Sequence, residues 1–135
     1  MNKNIFKYKL LTLSLILASF IILLSGCGEN TDLTSTSLNQ AISNGRPTLA
    51  EFGRGVCIPC KEMKPILEEL SIEYKGKLNV VIVETDDNIE LTRQFGIMMI
   101  PTQIFFDSNG KEIFRHVGFY PKENITTQLR IMGID

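Results

Sequence analysis

Leu78 to Val83 reads Leu-Asn-Val-Val-Ile-Val, an almost unbroken apolar run rich in β-branched residues. So short a run fits a strand buried on both faces, and such a strand needs other layers above and below it. The flanking segments supply them. Leu38 to Asn44 predicts a short helix ended by Asn44-Gly45, and Thr48 to Phe52 a short apolar strand. From Ile58 to about Tyr74, the residues Met63, Ile66, Leu67, Leu70 and Tyr74 recur at helical spacing, with a kink expected at Pro65. Ile89 to Phe95 predicts a helix stopped by Gly96. Thr102 to Phe106 and Lys111 to Val117 predict strands joined through Asp107-Ser108-Asn109-Gly110, with Asn-Gly at the hairpin tip. Lys122 to Met132 predicts a last helix after Pro121. The expected order is therefore α-β-α-β-α-β-β-α: an α/β fold whose central mixed sheet is flanked by helices and closed by an antiparallel hairpin. No internal repeat interrupts it.

At 135 residues the chain has room for one domain. Its formal net charge of −1 offers no basic stripe for nucleic acid.

The N-terminal residues read as an address. Lys3, Lys7 and Lys9 precede a 15-residue, mostly apolar run from Leu10 to Leu24. A spanning helix needs about 20 such residues, so the layout suits a secretory signal. The run ends in Leu24-Ser25-Gly26-Cys27, which resembles the lipobox of bacterial lipoproteins. That resemblance implies cleavage after Gly26 and a diacylglyceryl group on Cys27, which would hold the chain at the outer face of the bacterial cell membrane. An uncleaved N-terminal anchor is the alternative. Gly28 to Ser37 is polar and rich in Ser and Thr, and as a flexible linker would reach roughly 17 Å. The expected organisation is a signal peptide over 1–26, a lipid-anchored linker over 27–37 and a folded domain over 38–135.

Cys57-Ile58-Pro59-Cys60 carries the chemistry. A CxxC pair can be half a zinc site or a redox dithiol. Structural zinc needs four ligands, and only His116 and Cys27 remain as candidates, with Cys27 assigned to lipid. No metal is therefore expected. The redox reading follows from position. Cys57 falls at the start of a helix, where unpaired N–H groups and the helix dipole stabilise a thiolate. Cys60, one turn on, is placed to attack a mixed disulfide formed on Cys57. Pro59 suits a first helical turn because it has no N–H to leave unpaired.

Over Leu38 to Asp135 the sequence resembles the thioredoxin family. Cys57-Ile58-Pro59-Cys60-Lys61 is similar to the family's C-x-P-C-K, and Pro65 falls where the family kinks its active-site helix. The resemblance implies further roles. Glu51 takes the place of the buried carboxylate that relays protons to the resolving cysteine. Ile100-Pro101-Thr102 resembles the cis-proline loop, and Gly118 matches a glycine beside the substrate groove. Cys57, Cys60, Glu51 and Pro101 are thus the expected catalytic residues, and Val56, Ile58, Pro59, Ile100 and Gly118 the expected substrate contacts. Read without the family, Glu51 could be an exposed carboxylate, Pro101 a trans proline starting a strand, and Gly118 a turn residue.

Departures from the family accompany these matches. The chain has no Trp; Val56 stands where the family has one, and Gly53 replaces another aromatic. Ile82 stands where a lysine often neighbours the carboxylate, and Arg54 is the cation expected to replace part of that charge. His116, the single histidine, falls on a strand and is given no catalytic part.

The expected function is reduction of protein disulfides outside the cytoplasm, with apocytochrome c as one candidate substrate and a transmembrane thiol carrier as electron donor. No organic cofactor is expected beyond the dithiol itself, and the domain is expected to be a monomer. A disulfide oxidase or isomerase on the same fold is the nearer alternative. A non-enzymatic lipoprotein, a binding module or metal chaperone, is the more distant one.

Overall fold

The computed structural model describes residues 38–135; the expectations for the signal segment, Cys27 and the linker lie outside the described residues. Eight elements follow in the expected order: α1 (Leu38–Ser43), β1 (Thr48–Gly53), α2 (Ile58–Glu73), β2 (Asn79–Glu84), α3 (Ile89–Gln94), β3 (Thr102–Phe106), β4 (Glu112–Val117) and α4 (Lys122–Ile131). The strands form one mixed sheet in the order β2-β1-β3-β4. β1 runs parallel to β2, with Glu51 opposite Ile82, and antiparallel to β3, with Glu51 opposite Gln103. β3 and β4 are antiparallel, with Gln103 opposite His116.

Side chains alternate across a strand, so each register row lies on one sheet face. Leu49, Val80 and Phe105 belong to one core cluster with Met63, Leu67 and Leu70 of α2 and Ile125 and Leu129 of α4. Ala50, Phe52, Val81, Val83, Ile104 and Phe106 pack on the other face with Leu38 and Ala41 of α1, backed by Leu91 and Phe95. The result is three layers. Each fully buried Leu or Met of α2 contributes roughly 1.5–3 kcal/mol of apolar burial.

Two local features differ from the sequence expectation. β2 is fully covered only at Val80, Val81 and Val83; Ile82 and Glu84 are half-buried, because β2 ends the sheet among the described residues. The β3–β4 connection is not centred on Asn-Gly. Ser108 and Asn109 form the tip, and Gly110 follows in the left-handed region at φ 76°. The Asp107 carboxylate sets this turn by accepting from the N–H groups of Asn109 and Lys111, both at 2.9 Å. Gly110 is also required sterically, since a Cβ there would lie 2.6 Å from the carbonyl oxygen of Ile42.

Candidate active site

The topology gathers the expected site residues at one end of the sheet. β1 ends at Gly53, β2 ends at Glu84 beside it, β3 begins at Thr102 opposite Phe52, and β4 ends at Val117 opposite Thr102. The loops carrying Cys57, Pro101 and Gly118 therefore leave the sheet together.

Cys57 is the N-cap of α2, with an extended backbone (φ −76°, ψ 123°). Its Sγ accepts a hydrogen bond from the Cys60 N–H at 3.4 Å. Pro59 occupies the first turn, where its missing N–H leaves nothing unpaired. Pro65 lies further along the same helix, which runs on through it to Glu73. Cys57 and Cys60 are joined as a disulfide, with Cα atoms 5.3 Å apart. Cys57 is half-buried, whereas Cys60 is buried. Cys60 opens the stripe Cys60, Met63, Leu67, Leu70, which α2 turns toward the sheet. It thus faces the sheet surface that carries Glu51.

Glu51 is only 2% exposed. Burial first, and then the nearby Glu84 carboxylate, push its carboxyl up from 4.5 to about 8. Its Oε1 has no hydrogen-bond partner among the described residues. The carboxyl group folds along its own strand over Gly53: a Cβ at Gly53 would collide with Oε1 and lie 2.9 Å from Oε2. The longer Glu fits because the residue two places on has no side chain. Glu84 Oε2 accepts from the Gly55 N–H at 3.1 Å and so ties the loop before Cys57 to the end of β2.

The Ile100–Pro101 peptide is cis and Pro101 is buried. Gly118 has φ 99°, and its N–H donates to the Pro101 carbonyl at 2.8 Å, fixing the proline loop to the end of β4. Val56 and Ile58, on either side of Cys57, are 76% and 71% exposed. Ile100 joins Met98, Met99 and Arg54 around a shallow cleft of about 360 Å³. Val56 and Ile58 thus flank Cys57 with exposed apolar side chains, while the cleft combines apolar Met98, Met99 and Ile100 with the charges of Arg54 and Asp86.

Arg54 does not supply the cation expected near Glu51. Its guanidinium pairs with Asp86 at 2.8 Å, with both side chains about half exposed, which holds the charge at the surface. His116 stacks on Tyr120 with ring centroids 4.0 Å apart, and its Nε2 lies 3.2 Å from the Phe119 carbonyl oxygen. That is a packing role. Sequence reasoning missed Glu84 and Gln103. Gln103 was legible in principle: it is the one amide in a strand completed by Ile104, Phe105 and Phe106, and strand alternation puts it on the Glu51 face. No group of three or more His, Cys, Asp or Glu converges as a metal site among the described residues, and no helix there is long and apolar enough to cross a membrane.

Comparisons with known proteins agree with this geometry. The sequence model of the family described as Thioredoxin matches residues 29–130. Thioredoxin from Alicyclobacillus acidocaldarius is 40% identical over 97 residues, covering 72% of this chain and 91% of that protein. Thioredoxin from Staphylococcus saprophyticus is 38% identical over 93 residues, covering 69% and 88%. Among solved structures, a mutant thioredoxin from Halobacterium salinarum superposes with a TM-score of 0.66 at 23% identity, over 73% of this chain and 85% of that one.

Proposed function

We propose, from the premise that this chain belongs to the thioredoxin family and is a thiol–disulfide oxidoreductase, that it reduces protein disulfides outside the cytoplasm while anchored to the membrane by lipid on Cys27. The observation that carries the redox chemistry is the asymmetry of the pair: Cys57 half-exposed at a helix start, Cys60 buried one turn on and facing the Glu51 surface. The anchor rests on Lys3, Lys7 and Lys9, the apolar run and Leu24-Ser25-Gly26-Cys27.

In the reduced state, the Cys57 thiolate attacks one sulfur of a substrate disulfide. A Cys57–substrate bond forms, the substrate S–S bond breaks, and the departing thiolate takes a proton. Cys60 then gives its proton to the Glu51 carboxylate and attacks the Cys57 sulfur. The second substrate sulfur leaves as a thiolate that takes up a proton from Glu51 or water, and the Cys57–Cys60 disulfide remains. Two electrons have moved to the substrate, and no organic cofactor is needed because the dithiol holds them. A carboxyl group shifted to about 8 suits the proton step, since it both accepts and returns a proton near neutral pH. The apolar rim of Val56, Ile58, Met98 and Met99 fits extended, unfolded cysteine-bearing segments, such as an apocytochrome awaiting haem. Recharging requires a thiol donor on the same side, which a transmembrane carrier would provide. The signal, anchor and linker occupy 1–26 and 27–37, and the domain 38–135 works as a monomer.

The test combines trapping and potential. Cys60→Ser should accumulate mixed disulfides on Cys57 in membrane fractions, and Cys57→Ser should not. The potential of the pair should fall toward the roughly −270 mV of reductases; a value near about −120 mV would make the protein an oxidase. No trapped species in either variant, with no disulfide reduced by the wild type, would favour a binding module.

A further inference from the structure

Gln103 is fully buried, yet neither its Oε1 nor its Nε2 has a hydrogen-bond partner among the described residues. A buried primary amide left unpaired costs about 1–3 kcal/mol, so a strand completed by Ile104, Phe105 and Phe106 carries it for a reason outside packing. Its place in the sheet supplies one. Gln103 is the direct cross-strand neighbour of Glu51, whose Oε1 is likewise unpartnered. Directly opposed residues share a face with Cβ atoms about 4.5–5.5 Å apart; no hydrogen bond joins the amide to the carboxyl in this oxidised state, and a turn of either side chain or one bridging water would make it.

We propose that Gln103 is a positioning residue for the Glu51 proton relay, its amide serving both protonation states of the carboxyl. The inference rests on the relay role proposed for Glu51. An amide suits the task because it offers a donor and an acceptor on one rotatable group. Its N–H donates to the Glu51 carboxylate once the proton has left; its carbonyl accepts from the Glu51 O–H while the proton is held. A lysine would favour the carboxylate alone, and that position of the family pattern is occupied here by Ile82. The bond to the charged form would be the stronger of the two, so once made it would draw the carboxyl below the value that burial and Glu84 give it.

The surroundings leave few competitors. From β2 the ionisable neighbour is Glu84, which raises the Glu51 carboxyl and is itself engaged by the Gly55 N–H. From β4 it is His116, on the far side of Gln103 and stacked on Tyr120. From α2 it is Cys60, while Lys61 is exposed. Arg54 is held by Asp86.

The experiment uses the full chain, reduced, mixed with an aromatic disulfide whose two thiols absorb on release. Attack by Cys57 releases the first thiol and resolution by Cys60 the second, so the two steps separate as two phases. Gln103→Leu removes the amide; Gln103→Met does so while keeping the length of the side chain, in case Leu fails to pack. In either variant the second phase should slow several-fold at pH 7 and its pH midpoint should rise by about one unit, a tenfold change in the ionisation constant. The first phase should be unchanged. A second phase that superimposes on wild type in both variants, with Glu51→Gln still slowing it, overturns the role of Gln103 and leaves the relay standing. If Glu51→Gln also leaves the second phase unchanged, the relay fails and the inference falls with it.

Discussion

Glu51→Gln should stabilise the oxidised domain, and by an amount that grows with pH. The carboxyl titrates at 4.5 when unfolded and at about 8 when folded. Between those values the native state holds a proton that the unfolded chain has released. The contribution of Glu51 to stability is therefore greatest below pH 4.5 and declines as pH rises toward 8, because an increasingly favourable ionisation is available only on unfolding. Integrating that difference gives a loss of about 3 kcal/mol at pH 7 and about 5 kcal/mol at pH 9, relative to pH 4. Glutamine has the same shape and no proton to lose, so the variant omits this slope. With urea m-values of about 1–3 kcal/mol/M, the midpoint gap between variant and wild type should widen by roughly 1–3 M from pH 4 to pH 7. Urea unfolding with the Cys57–Cys60 disulfide intact is the assay, since neither thiol of the pair then titrates. The surface carboxylates act in both proteins and cancel in the difference, while the repulsion from Glu84 is already part of the raised Glu51 value. Parallel stability curves across this range would refute the argument, showing that Glu51 ionises in the folded state as freely as in the unfolded one.

Other outcomes follow from the same residues. Cys27→Ser should leave an unprocessed precursor or release the domain from membranes, and normal processing with full membrane retention would remove the lipid anchor from the account. In the reduced protein, alkylation should reach Cys57 before Cys60 and titrate below the ordinary thiol value of about 8.5, because of the pair only Cys57 is both solvent-accessible and at the helix start; mass spectrometry of the first-modified site checks this. Gly53→Ala should cost about 1–3 kcal/mol by forcing the Glu51 carboxyl from its position, and Glu51→Asp should recover much of that cost in the double variant. Additive costs in denaturant unfolding would show that the two positions are independent.

Much of this was legible in the sequence because it rested on periodicity and local backbone chemistry. Element order, the sheet-facing stripe of α2 and the N-cap position of Cys57 follow from spacing that any fold of this class must respect. The hairpin tip was less so. Asn109-Gly110 signals a tight turn, but the Asp107 carboxylate captures two N–H groups and moves the left-handed residue outside the tip. Arg54 was misplaced for a related reason: its proximity in sequence to Cys57 says nothing of Asp86, which lies beyond β2 and takes the guanidinium.

The polar interior was the least legible part, because its logic runs across strands. Glu51 in place of a shorter carboxylate and Gly53 in place of an aromatic look like two separate departures when read along the chain. In the fold they are one: the two positions share a sheet face, and the space vacated at Gly53 is where the Glu51 carboxyl lies. Ile82 and Gln103 form a second such pair. One flanks Glu51 from β2 without a charge, and the other flanks it from β3 with an uncharged amide. Where burial is nearly complete and the flanking positions carry no cation, a carboxyl stays neutral to higher pH, and a neutral partner able to donate or accept tolerates both of its states. The substitutions around Glu51 are thus mutually consistent: they exchange a charge-stabilised carboxylate for a protonated acid poised near neutrality, the property that the proposed proton relay to Cys60 requires.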